Sequence, residues 1–428
     1  MSKMKIGYLH IGPHQHGVCR YGRILAAEAR RQPDLTVIEA DITLTENRKH
    51  NREMLVRAAQ RLSEADVIHV QSSSVNTLLW GKGWSQLYYL DVFMRHCSCP
   101  IVATLHDVDY PPYGLANVVR YAYCKFQPTP SSPNQETTAT LPGKPSATKR
   151  SILTKGIKFV QRIFQGSFGP EALALGKIGS RAQLIFVCTK VEEQRLCDRV
   201  DKRKMRVVPH FVEQRSVGIS PTKARAALGL DGVKTVTLLG FIHPPKGHQL
   251  MVEAMSELPQ DVKVIFAGGP CIGADNQFVQ DLIALAKARG VDNRLQVTGY
   301  LSEEELESYL VATDLAVCPF MTTSASGSLS TWISVARPIL ASDLPQIAEY
   351  NKLEPNSVKT FNRYTPTALA QAIQQLLPTY RESEAPAVVS LRQKLSIPVI
   401  FEEHLTHYRD AACKDSAQGV DKRTFVVT

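Results

Sequence analysis

No stretch of this chain approaches the roughly 20 consecutive apolar residues that span a bilayer. The first residues, MSKMKIGYLHIG, enter a strand pattern at once and carry neither the apolar core nor the small-residue cleavage site of a secretory leader. The expected compartment is therefore the cytoplasm. Cysteine is sparse: nine in 428 residues, an odd number, scattered along the chain. The one close pair, Cys97 and Cys99, has no partner pair at zinc-site spacing, so the thiols are expected to be reduced and mostly buried. The basic residues are not interleaved with aromatics, and no nucleic-acid module signature is present, which argues against nucleic acid as a partner. The dinucleotide fingerprint G-x-G-x-x-G is also missing: the loop after the first strand reads GPHQHGVCRYGR, Gly12 to Arg23. His14 and His16 in that loop invite a metal, but no third ligand stands at recognisable spacing, so neither metal nor cofactor is expected.

What is present belongs to a globular protein. Hydrophobic residues make up 44% and charged residues 21%, and the length suffices for two domains, each with its own core. The net charge of +10 points to an anionic partner: nucleic acid, anionic lipid or a phosphorylated small molecule. Strand-like and helix-like segments alternate. KIGYLHIG, LTVIEADI, ADVIHVQ, PIVATLHD, AQLIFVCT and KMRVVPHF read as strands with helices between them. After residue 210 the pattern repeats with TVTLLG, VKVIFAGG, LQVTGY, DLAVCPF and RPILASD. Such alternation predicts α/β architecture, two doubly wound Rossmann-like units whose parallel sheets carry helices on both faces, with the natural ligand site in the crevice between them. The expected division is 1–210 and 211–390, a last helix at 398–412 packing back on the first unit, and a polar tail at 413–428. Residues 127–148, rich in Pro, Ser and Thr, cannot bury enough surface to offset their ordering entropy and are expected to be mobile.

Two segments prepare a place for phosphate. In KTVTLLGFIHPPKGHQLMVEAM, a β-branched strand ends in Gly240, a short loop delivers Lys246, and a helix begins. A helix start exposes unpaired N–H groups and the lysine adds a point charge. About eighty residues later, SASGSLSTWISVARPILASDLP opens a helix at Ser326 and Gly327, with Ser328 and Ser330 as further hydroxyl donors. Either alone reads as an ordinary loop lysine or serine N-cap; together they favour a nucleotide diphosphate pocket. TLHD, Thr104 to Asp107, places His106 at the carboxyl end of a parallel strand, where polar residues meet ligands. The stretch KRSILTKGIKFVQRIF, 149–164, reads on a helix as an apolar side opposite Lys155, Lys158 and Arg162, a candidate contact to an anionic membrane surface at the inner face of the cytoplasmic membrane. A helix packed on its own domain with a solvated basic face fits the same pattern.

These residues resemble the retaining glycosyltransferases of the GT-B fold in family four. The likeness is strongest from Thr235 to Pro345, in GFIHPPKGHQLMVEAM, LQVTGYLSEEELESYLVATDLAVCPF and ARPILASDLP, and extends to GPHQHGVCRYGR and ATLHD. It implies transfer of a sugar from a nucleotide-sugar to a glycan or lipid-linked glycan, with retention at the anomeric carbon and without metal. It implies His106 and Lys246 as catalytic groups. Gly17, Gly240, His243, Ser326, Gly327, Ser328, Leu329 and Thr331 would lie on the donor side, and His14, His16 and Asp107 on the acceptor side.

The chain departs from the family pattern at Phe241, where many members have arginine, and at Thr323 and Thr331, where many have glutamates. His243 is the expected substitute for the arginine, as a pH-dependent donor. Two other functions stay open on these residues: a sugar-nucleotide epimerase or hydrolase on the same scaffold, and a binding module that has lost catalysis.

Overall fold

A computed structural model describes residues 3–12, 17–73, 77–81, 83–106, 169–270, 276–321, 326–377 and 384–421. The expected mobile loop 127–148 and the basic stretch 149–164 lie outside the described residues, as do His14, His16, Asp107 and Thr323. Two compact units are present. The first comprises the chain to Val187 with Glu192–Val207 and the segment from Thr406 onward; the second comprises Cys188–Val191 and Val208–Leu405.

The first unit is built on strands β1 (Met4–Ile11), β2 (Leu35–Ile42), β3 (Val67–Ser73), β4 (Ile101–His106), β5 (Leu184–Val187) and β6 (Met205–Val207). They form one parallel sheet in the order β2-β1-β3-β4-β5-β6. β3 and β4 are buried along their whole length, as a sheet covered on both faces requires. The chain runs outward from β1 to β2 and then returns across β1 to β3, so the order reverses between β1 and β3. The core gathers Leu9, Ile68, Val70, Phe93 and Ile185 with the helices Gly17–Arg31, Arg48–Leu62, Trp84–His96 and Pro170–Arg181 around them. Trp80 is fully buried, and its indole N–H donates to the Gln71 carbonyl at 3.0 Å, which meets its one polar requirement.

The second unit repeats the scheme with β7 (Lys234–Leu239), β8 (Val262–Ala267), β9 (Leu295–Val297), β10 (Leu315–Cys318), β11 (Ile339–Ser342) and β12 (Lys359–Phe361), all parallel. The order is β12-β11-β10-β7-β8-β9, so the reversal falls between β7 and β10. In open parallel sheets ligands bind outside the carboxyl ends of the strands at such a switch point. At the opposite end, Arg225 ties the two central strands together. It donates to the Ala312 and Leu230 carbonyls, both at 2.8 Å, and to Asp314 at 3.1 Å, and Asp314 in turn accepts from the Thr235 amide at 2.7 Å.

Two boundaries differ from those read in the sequence. The second unit continues past 390 to Leu405, because the helix Pro386–Lys394 buries Val388 and Leu391 and its Arg392 donates to the Ser334 carbonyl at 3.1 Å. The last helix spans Ile397–Asp421, continuing into the segment expected as a polar tail. A polar sequence without an apolar stripe gave no sign of that extension. Among the described residues no helix is long and apolar enough to cross a membrane.

Candidate functional site

The loop after β7 owes its shape to two glycines. Gly240 has φ +104, and Gly268, after β8, has φ +156. A Cβ on Gly268 would lie 2.1 Å from the Gly240 carbonyl oxygen, so the two loops cross backbone against backbone. The Ile242 amide donates to the Gly269 carbonyl at 2.7 Å and fixes the crossing. A short 3-10 turn, Pro244–Lys246, follows and is closed by Gly247 in the left-handed conformation, φ +80. A Cβ there would lie 1.9 Å from the Pro319 carbonyl, and the Met321 amide donates to the Pro245 carbonyl at 2.9 Å. The lysine loop is thereby pinned to the chain leaving β10.

That chain opens the helix Gly327–Ser334. Ser326 caps it, accepting from the Leu329 amide at 3.4 Å. Leu329, Trp332 and Ile333 point into the core and set the helix's rotation. Lys246 Nζ lies 2.6 Å from Ser328 Oγ and 3.5 Å from Ser326 Oγ, and the two serine hydroxyls are 3.1 Å apart. The ammonium also sits 4.5 Å above the centre of the Phe320 ring. Gly240 adjoins this group, since a Cβ there would stand 3.7 Å from Ser328 Cβ. An ammonium and a helix amino end thus meet at the carboxyl ends of β7 and β10, where the strand order reverses. Together they form a local positive potential suited to phosphate.

The neighbours register that potential. Burial, and then Lys246, lower the pKa of His243. Both effects disfavour the charged form of its imidazole. The buried His248 is pushed down to about 3, chiefly by burial and next by Lys246. Burial raises the Cys318 thiol to about 12, with Lys246 opposing weakly.

The remaining sequence-derived residues are placed as follows. Gly327 opens the helix with free space where a Cβ would stand. Leu329 contributes its amide to the cap while its side chain belongs to the core. The Thr331 hydroxyl donates to the Gly327 carbonyl at 2.9 Å, one turn back along the same helix. Gly17 begins the helix Gly17–Arg31 in the first unit. His106 ends β4, buried, with Nε2 2.8 Å from Gln71 Oε1 and its ring edge-on to Tyr21. Among the described residues no group of three His, Cys, Asp or Glu side chains gathers as a metal ion would need.

Sequence reading assigned no part in the site to three contributors, of which it had named only Gly247, as a member of the lysine loop. Phe320 lies under the ammonium, Gly247 enforces the close approach, and Gln71 holds His106. The signal for Gln71 was its place two residues after His69 in a strand whose other residues up to that point, Val67, Ile68 and Val70, are apolar. Phe241 is 45% exposed and packs edge-on to Tyr300, which is 59% exposed and lies against Gly269. An aromatic ledge thus follows β7.

Comparison with known proteins bears on this site. Residues 233–379 match the family model described as Glycosyl transferases group 1. The chain is 38% identical over 156 residues to D-inositol 3-phosphate glycosyltransferase of Mycobacterium sp. (strain KMS), which covers 35% of each chain. It is 28% identical over 192 residues to alpha-D-kanosaminyltransferase of Streptomyces kanamyceticus, covering 44% of this chain and 48% of that one. The alignments thus span between about a third and a half of these curated relatives. Among solved structures, HepE of Anabaena in complex with UDP superposes with a TM-score of 0.63 at 13% identity, over 95% of this chain and 100% of that one. Sucrose-phosphate synthase of Thermosynechococcus elongatus does so with a TM-score of 0.60 at 17% identity, over 95% and 99%. The fold is GT-B. Within this GT-B chain the family match falls wholly inside the second unit and contains every residue of the Lys246–Ser328 group.

Proposed function

We propose that this protein is a retaining glycosyltransferase that moves a sugar from a nucleotide-sugar donor to a glycan or lipid-linked glycan acceptor. One observation carries the reading: Lys246 Nζ reaches both hydroxyls at the amino end of the helix Gly327–Ser334, inside the segment that matches the group 1 family. The two serine hydroxyls and the lysine would bind the diphosphate, with the helix amides behind them. In the reaction the bond between the anomeric carbon and the phosphate oxygen breaks, and a bond from the acceptor oxygen forms on the same face. The acceptor's proton passes to the departing phosphate. The Lys246 charge and the helix dipole stabilise the leaving diphosphate as its charge grows. His106 would meet the transferred sugar.

UDP is the first probe, because HepE binds it. Lys246→Ala should weaken UDP binding about 10- to 100-fold in calorimetry, the range for a charge-assisted contact worth about 1.5–3 kcal/mol. Unchanged affinity would remove the site assignment. Retention is tested by the anomeric configuration of the product in NMR, and metal independence by activity that survives a chelator. Fast release of free sugar from the donor without acceptor would favour a hydrolase instead.

A further inference from the structure

The interior of the first sheet carries polar side chains where a parallel sheet normally carries Val, Ile or Leu. His69 and Gln71 lie two positions apart on β3, and Thr104 and His106 lie two positions apart on β4. The register pairs Gln71 with Thr104, so all four side chains share one face. All four are 5% exposed or less. Burial of such groups is tolerated when their hydrogen bonds are made, and here the bonds run in sequence. His106 Nε2 is 2.8 Å from Gln71 Oε1. Gln71 Nε2 is 3.1 Å from His69 Nε2, which also lies 2.8 Å from Thr104 Oγ1. His69 Nδ1 is 2.7 Å from the hydroxyl of Tyr408, on the helix Ile397–Asp421, and Tyr8 donates to that hydroxyl at 3.4 Å.

A carboxamide has one accepting and one donating end, so it imposes direction on both neighbours. Its oxygen accepts, so His106 Nε2 carries the proton. Its NH2 donates, so His69 Nε2 presents a lone pair and neutral His69 carries its proton on Nδ1. That proton goes to the Tyr408 oxygen. We propose that Gln71 is a positioning residue that locks His106 in the Nε2–H tautomer, with His69 and Tyr408 anchoring Gln71 from the other end. The consequence for catalysis rests on the reading of His106 as the group that meets the sugar: the lock fixes which ring nitrogen carries the proton there.

The test uses the full chain labelled with 15N in histidine. Long-range 1H–15N spectra distinguish the two neutral tautomers, and His106→Ala assigns the signal. The wild-type protein should show His106 as Nε2–H. Gln71→Leu should produce a tautomer mixture, and Gln71→Glu, which keeps an acceptor, should restore the single form. In steady-state kinetics with the nucleotide-sugar, Gln71→Leu should lower kcat at least tenfold with KM for the donor changed less than twofold, and Gln71→Glu should recover most of kcat. Tyr408→Phe provides a second route should Gln71→Leu not fold. Loss of the Tyr408 acceptor should turn over the His69 tautomer, reverse the carboxamide and alter the His106 signal. An unchanged His106 tautomer in the folded variants overturns the proposal. A tautomer that responds as expected while His106→Ala keeps full activity upholds the positioning and overturns the sugar contact.

Discussion

The left-handed φ of Gly247 and the Pro319 carbonyl beside it leave room for a hydrogen and no more. Gly247→Ala should therefore cost at least the about 1–2 kcal/mol that an L-residue pays in that region, read as a lower urea midpoint. It should also weaken nucleotide binding, because Lys246 cannot keep its place once the loop moves. His248 makes a pH prediction. Its folded pKa is about 3, against an unfolded value of about 6.5. The unfolded chain therefore binds the extra proton between those values. The contribution of this group is complete above about pH 6.5 and is lost as pH falls toward 3, by at most about 1.4 kcal/mol per pH unit. Urea midpoints measured from pH 7 to pH 4 should fall less steeply in His248→Phe than in the wild type. At this scale the sequence disclosed the lysine and the serines, because residue type and spacing carry phosphate chemistry. It did not disclose Tyr408 as a partner of His69, which stands 339 positions away and shares no local pattern with it.

Elements were legible where a period or a cap spoke clearly. The segment SEEELESYLVAT reads as a helix, and the structure shows one over Glu303–Ala312 with a capping box: Ser302 accepts from the Glu305 amide, and the Glu305 carboxylate accepts from the Ser302 amide. Ser302→Ala should lower stability by about 1 kcal/mol, measurable as a shift in thermal midpoint, with nucleotide affinity unchanged. The β-branched runs gave the long strands for the same reason, since their side chains face cover on both sides. The elements that escaped notice lack such patterning. The helix Pro345–Leu353 buries only Gln346 and Ile347, and β12 is three residues long with Phe361 alone fully buried. Tertiary packing, more than propensity, makes these segments regular.

For the molecule as a whole, each unit has a separate apolar core and its own sheet. On the proposed function, a nucleoside diphosphate binds residues of the second unit. At about 100 times its Kd it should stabilise that unit by about 2.7 kcal/mol. Hydrogen exchange should slow at 240–247 and 326–330, and equal protection in Lys246→Ala would contradict the assignment. Segments near the two ends of the second unit meet in one seam: the Val212 amide donates to the Leu395 carbonyl at 2.7 Å, and Val212 pairs in parallel with Ser396. A cassette whose entrance and exit share a hydrogen bond can be spliced out and replaced without stretching its host, so on the proposed function donor preference becomes exchangeable as a block, by grafting another GT-B cassette at this stitch.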